Sequence, residues 1–213
     1  DGTRIWLNAA TSVKYPANIS QDTIRIVVDG EAYFELAANE SHVYVVSTPS
    51  VVQRLQSTTT GPVPSHDGLH IAANNARFNV MAYPDEPAAT VTLFKGKAVA
   101  RLNSSVAPSS LSLAEGQQAK DEGGKLNIIQ AADSSDVIAW KNNRTSFHDA
   151  GIQTIMRFVA RWYNVEIVYQ GKIPGKPYTV NVPHNTGIKE LLAPLEKQGV
   201  RFGIHGKTIQ VIF

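Results

Sequence analysis

WKNNRTSFHDAGIQTIMRFVARWYNVEIVY, residues 140–169, is the stretch whose reading decides the fold. Everything upstream reads as short strands and turns; this stretch holds the first unambiguous helix. Its apolar residues Ile152, Ile155, Met156, Val159, Trp162 and Tyr163 follow the i, i+3, i+4, i+7 stripe of an amphipathic helix. Asp149 is the expected N-cap, because a carboxylate there accepts from unpaired first-turn N–H groups. Asn164 is the expected stop, since asparagine tolerates the left-handed conformation of a C-cap. Val165 to Tyr169 is then β-branched and aromatic, so the chain passes from the helix straight into a strand.

The composition bounds what surrounds this stretch. At 213 residues and 43% hydrophobic content, the chain can form one large domain or two small ones. No apolar run approaches the roughly 20 residues of a membrane helix. The sequence begins at Asp1 without a methionine or a signal peptide and reads as a piece cut from a longer protein. Its net charge of +2 comes from interspersed charges of both signs, without the basic stripe of a nucleic-acid binder. With no cysteine, disulfides, zinc–thiolate sites and cysteine catalysis are excluded.

Upstream of the helix the expected strands are Thr3–Leu7, Ser12–Tyr15, Arg25–Val28, Glu31–Leu36, His42–Ser47, Arg77–Tyr83, Thr90–Phe94, Ala98–Leu102, Leu111–Leu113 and Gln117–Lys120. Asp29-Gly30 and Lys95-Gly96-Lys97 read as hairpin turns, and residues 51–75 as a polar loop rich in breakers that regains strand character near His70. Three segments, DGEAYFEL at 29–36, KGKAVARL at 95–102 and EGQQAKDE at 115–122, share a charged residue, a glycine and then a strand. Residues 1–132 therefore read as one all-β domain, a sandwich or a solenoid-like stack of antiparallel strands. A polar connector at 131–136 leads to a second domain, 138–213. There a strand near Thr145–Phe147 precedes the helix, and strand Val165–Tyr169 follows it. A loop, strand Tyr178–Val182, a helix with Ile188, Leu191, Leu192 and Leu195 on one face, and strands Val200–Ile204 and Thr208–Phe213 complete it. Asn185 or Thr186 is the expected cap of that helix, Pro194 is expected to kink or shorten it, and Gly199 is its expected C′ residue. The order β-α-β, β-α-β-β predicts a small α+β domain, two helices against one sheet.

Residues carrying chemistry are sparse. Of six histidines only His66 and His70 share an i, i+4 spacing, and two imidazoles without further ligands read as solvated rather than metal-bound. No nucleophile elbow, P-loop or dinucleotide fingerprint occurs. The adjacent pairs Asp85-Glu86 and Asp121-Glu122 read as solvated strand ends. We therefore assign no catalytic, cofactor or metal residues. The informative feature is strand edge: YTVNV and TIQVIF lack the charges that normally block pairing with a foreign strand. Tyr178, Val180, Val182, Thr208, Gln210 and Ile212 are accordingly the expected partner-binding residues.

Several segments together resemble FecR-family proteins: W-L-N-A at 6–9 with Tyr15-Pro16, G-E-A-Y-F-E at 30–35, R-F-N-V and A-Y-P-D-E between Arg77 and Glu86, G-Q-Q-A at 116–119 and A-R-W-Y-N-V-E-I at 160–167. The family comprises inner-membrane anti-sigma (sigma-regulator) proteins, and this chain is similar to the type common in Bacteroidetes. That resemblance implies a periplasmic region whose C-terminal domain is like the short secretin/TonB N-terminal domain. It implies an upstream membrane helix, an upstream cytoplasmic segment holding an extracytoplasmic-function sigma factor, and a signal from the N-terminal domain of a TonB-dependent outer-membrane receptor. One departure stands out. Family members usually carry Gly-Thr where this chain has Asn75-Ala76, and without a hydroxyl at residue 76 an N→O acyl shift has no nucleophile. The competing reading from another class is a glycan-binding β module with a small accessory domain.

Overall fold

A computed structural model describes residues 2–18, 22–37, 42–49, 66–104, 109–130 and 134–213. Within these, the chain forms two compact units, residues 1–134 and 135–213. Expectations for 51–65 and 131–133 fall outside the described residues.

The first unit is one nine-stranded sheet: β1 (Arg4–Leu7), β2 (Ser12–Lys14), β3 (Thr23–Glu35), β4 (Val43–Ser47), β5 (His66–Ala82), β6 (Ala89–Ser104), β7 (Ser109–Leu113), β8 (Gln117–Glu122) and β9 (Lys125–Gln130). Neither expected hairpin exists. Asp29-Gly30 lies inside β3, and Lys95-Gly96-Lys97 inside β6. Instead β3, β5 and β6 are long strands that change partners halfway, and this folds the sheet over on itself. Thr23–Val27 pair with β4, whereas Gly30–Glu35 pair with β5. β5 pairs with β4 over 70–73 and with β3 over 77–82. β6 takes β7 along 98–102 and β8 along 89–92. The strands share one core that contains Ile26, Val46, Ile71, Phe78, Val91 and Leu102.

The fold-over is written into the burial pattern. Along β5 the buried residues are Leu69, Ile71 and Ala73, then Ala76, Phe78 and Val80. Along β6 they are Val91 and Leu93, then Ala98 and Ala100. A strand alternates faces with period two, so this odd-to-even switch requires an extra residue at the crease. Asn75 supplies it in β5 with φ 45°, and Gly96 in β6 with φ 87°. Gly96 is required twice over, since a Cβ there would sit 2.5 Å from the Asn75 carbonyl oxygen. Of the three charged-glycine-strand segments, those at Gly30 and Gly96 lie inside long strands, and that at Gly116 lies in the turn between β7 and β8. One further expectation is corrected: the sheet is not wholly antiparallel, because β3 and β4 run parallel.

In the second unit a short helix α1 (Ser134–Val137), in part of the segment expected as a connector, and a 3-10 turn (Trp140–Asn142) precede β10 (Arg144–Gly151). Helix α2 (Ile152–Tyr163), β11 (Glu166–Gln170), β12 (Pro177–Pro183), helix α3 (Ile188–Lys197), β13 (Arg201–His205) and β14 (Thr208–Ile212) follow. Ile152, Ile155, Met156 and Val159 of α2 are all buried, each worth about 2 kcal/mol of apolar transfer. Asn164 ends α2 in the left-handed region, with its N–H on the Ala160 carbonyl. The N-cap is Gly151 rather than Asp149, since β10 runs on to Gly151 and Asp149, at φ 49°, lies in a bulge of that strand. At α3 the cap is Gly187 rather than Asn185 or Thr186, and its N–H donates to Glu190 Oε2 at 2.7 Å. Pro194 does not end α3, which continues to Lys197. Two sheets occur here rather than one: the pair β10–β12, and a three-stranded sheet in the order β11-β14-β13.

Candidate functional site

The three-stranded sheet of the second unit is built around β14. β11 lies parallel to it from Glu166↔Thr208 to Gln170↔Ile212, and β13 antiparallel from Arg201↔Ile212 to His205↔Thr208. Ile209 and Val211 of β14 are fully buried, with Ile167, Tyr169 and Phe202 packed against the same core. The opposite face carries three rows: Glu166–Thr208–His205, Val168–Gln210–Gly203 and Gln170–Ile212–Arg201. Gln210 Nε2 donates to Gln170 Oε1 at 2.9 Å across this face.

This topology relocates the open edges. Thr208, Gln210 and Ile212 were expected on an edge, but β14 is the central strand, paired on both sides. Its backbone groups are used within the sheet, so it cannot take a further strand. Tyr178 and Val180 of β12 are 2% and 0% exposed, and Val182 is partly buried, so these side chains build core instead of contact surface. The outward side of β12 is also closed locally. Gln198, just past α3, accepts from the Thr179 N–H at 3.1 Å and donates to the Thr179 carbonyl at 2.8 Å. One side-chain amide there imitates the backbone of a neighbouring strand.

The edges of the three-stranded sheet are β11 and β13. In β11 the Glu166 N–H donates to Lys207 and the Gln170 carbonyl accepts from Phe213. In a parallel ladder alternate residues face the same side. Glu166, Val168 and Gln170 therefore turn their backbone groups toward β14, and Ile167 and Tyr169 turn theirs outward. Nothing in Ile167-Val168-Tyr169 carries a charge, and Val168 is 42% exposed on the open face. β13 is a poorer edge, with Gly203 at its centre and Arg201 and His205 at its ends. The signal available in the sequence was the same lack of charge that drew attention to YTVNV and TIQVIF. What the sequence could not give was the strand order.

Beside α2 an aromatic cluster sets the local electrostatics. Phe158 meets Phe147 edge to face at 5.4 Å, and Trp162 lies 3.8 Å from the His184 ring. His184 is 7% exposed and shares a 2.9 Å hydrogen bond with Thr145 Oγ1. Burial among these rings pushes its pKa below the usual histidine value. Burial also raises the pKa of the Tyr163 phenol, helped by the Glu190 carboxylate; the hydroxyl donates to the Thr186 carbonyl at 2.7 Å.

The glycan reading asks for an open aromatic platform in the first unit. Trp6, Tyr33 and Phe94 do cluster, with centroids 5.7 Å apart in each pair. Tyr33, however, is only 4% exposed, so the centre of this cluster is not open to a ligand. Among the described residues no group of three or more His, Cys, Asp or Glu is placed to hold a metal. His70, one of the two spaced histidines, uses Nδ1 with Ser47 Oγ at 2.9 Å.

Residues 144–211, spanning β10 to β14, match the family model "FecR, C-terminal". This second unit is similar to the C-terminal domain of FecR proteins. Two crystal structures of a "putative anti-sigma factor" from Parabacteroides distasonis ATCC 8503, at 1.65 and 2.50 Å resolution, superpose on this chain with a TM-score of 0.79. Each is 21% identical to it and is covered over 90% of its length, while covering 99% and 100% of this chain. At that identity the likeness establishes the fold. Comparison with curated proteins gave no match.

Proposed function

We propose that this chain is the signal-receiving region of a FecR-like anti-sigma factor and takes up its partner by strand addition along β11. The observation that carries the reading is the backbone of Ile167 and Tyr169, turned outward from an edge without interior charge. A partner strand laid there would extend the sheet, with Val168 beside it on the open face. The partner is the N-terminal signalling domain of a TonB-dependent outer-membrane receptor, and the signal passes to an extracytoplasmic-function sigma factor held by another part of the same protein. Such an arrangement places the region at the periplasmic face of the inner membrane. Among the described residues no helix is long and apolar enough to cross a membrane. The match of residues 144–211 to the FecR C-terminal model and the likeness to a protein described as a putative anti-sigma factor support the regulatory role.

Pull-down with the receptor signalling domain encoded beside this chain tests the reading. Val168→Lys puts a charge on the exposed edge and should weaken capture about tenfold, while Ile204→Lys on β13, equally exposed at 42%, should leave it intact. Undiminished capture by Val168→Lys removes β11 as the docking edge.

A further inference from the structure

The first unit carries a charged depression that strand pairing alone does not explain. Register places Arg4, Glu35, Arg77 and Lys95 in one row across β1, β3, β5 and β6. The same four side chains, with Asn75 and Ala76, line a cavity of about 330 Å³. Arg77 and Lys95 are direct cross-strand partners, and like charges so placed repel. Glu35 stands between Arg4 and Arg77 and offsets one of the three positive charges. No ion pair or side-chain hydrogen bond joins Arg4, Arg77 or Lys95 to another described residue.

The floor of the depression is the sheet's crease. Asn75 at φ 45° and the buried Ala76 lie against Gly96, and the Ala76 carbonyl accepts from Leu36 N–H at 3.0 Å. This backbone is fixed by packing, so the cations stand on a rigid concave wall. Arg4, Arg77 and Lys95 are all solvent-exposed and line this same depression.

We propose that this depression binds a compact, doubly charged oxyanion. Arg77 and Lys95 are its main partners, Arg4 closes the side next to β1, and Glu35 limits the charge accepted. Two positive charges remain after Glu35 is counted, which sets the ligand's charge. A guanidinium beside an ammonium suits the planar oxygens of a carboxylate or the oxygens of a phosphate.

Titration of the ¹⁵N-labelled chain with inorganic phosphate and, separately, with succinate tests this. Saturable shifts confined to the amides of Gly2, Asn75 and Ala76 are expected with at least one anion, and the tighter of the two identifies the oxyanion. Arg77→Gln and Lys95→Gln should each weaken binding about tenfold, Glu35→Gln should tighten it several-fold, and added salt should weaken it. Because the three cations repel, Arg77→Gln should leave the melting temperature unchanged or raised. Absence of a saturable shift with either anion overturns the proposal. So does an Arg77→Gln protein that melts lower yet titrates like the parent, since the row would then be purely structural.

Discussion

Gly96→Ala probes the crease on which the first unit depends. Gly96 has φ 87°, and a Cβ there would lie 2.5 Å from the Asn75 carbonyl oxygen and 3.1 Å from the Ala76 Cα. Positive φ costs a non-glycine residue about 1–2 kcal/mol. Forcing a methyl against backbone adds about 1–3 kcal/mol, because neither strand can yield without breaking ladder pairing. Together these predict a loss of about 3 kcal/mol. Gly116 is the control. Its φ is 80°, but its added Cβ would meet only the flexible end of the Gln130 side chain, at 3.3 Å. Gly116→Ala should therefore cost about 1 kcal/mol, the conformational part alone. For a unit of this size the two variants should differ in melting temperature by about 5–10 °C. Thermal denaturation followed by near-ultraviolet circular dichroism measures this. Equal melting temperatures for the two variants would refute the packed crease.

Other outcomes follow from the second unit and from Ala76. The pKa of His184 is lowered by burial, so the unfolded chain takes up its proton first; stability should be full above about pH 6.5 and fall as the pH drops below that toward the folded value, and His184→Gln should flatten that part of a pH–melting curve. Gln198→Ala removes both bonds to the Thr179 backbone and should cost about 1 kcal/mol, with about fivefold faster amide exchange at Thr179. Freshly purified protein should run as one band on a denaturing gel, because Ala76 offers no hydroxyl to attack the preceding carbonyl; fragments meeting near residue 75 would contradict this.

Local signals were legible in the sequence where local physics decides the outcome. The apolar stripe of α2 is the buried face, and Asn164 is the left-handed cap, because both depend on neighbours within two turns. The glycines were visible but misread. Asp29-Gly30 and Lys95-Gly96 have turn chemistry, yet a glycine that bends a long strand and one that reverses it look alike in sequence. At Gly96 the switch in buried parity from Leu93 to Ala98 separates them, and at Gly30 only the pairing of β3 with β4 and then β5 does; both depend on residues distant in sequence. The docking edges failed for a related reason. YTVNV and TIQVIF do lack blocking charges, but β14 is central and β12 is capped by Gln198, nineteen positions away from Thr179. The row Arg4–Glu35–Arg77–Lys95 draws on four strands spread over the chain, which no local pattern connects.

Amide hydrogen exchange of this chain, with and without the receptor signalling domain, tests strand addition along β11 most directly. Ile167 and Tyr169 turn their N–H groups away from β14, so strand addition should slow their exchange strongly while leaving Arg201–His205 of β13 unchanged. A complex that forms while Ile167 and Tyr169 exchange as fast as in the free chain would contradict it.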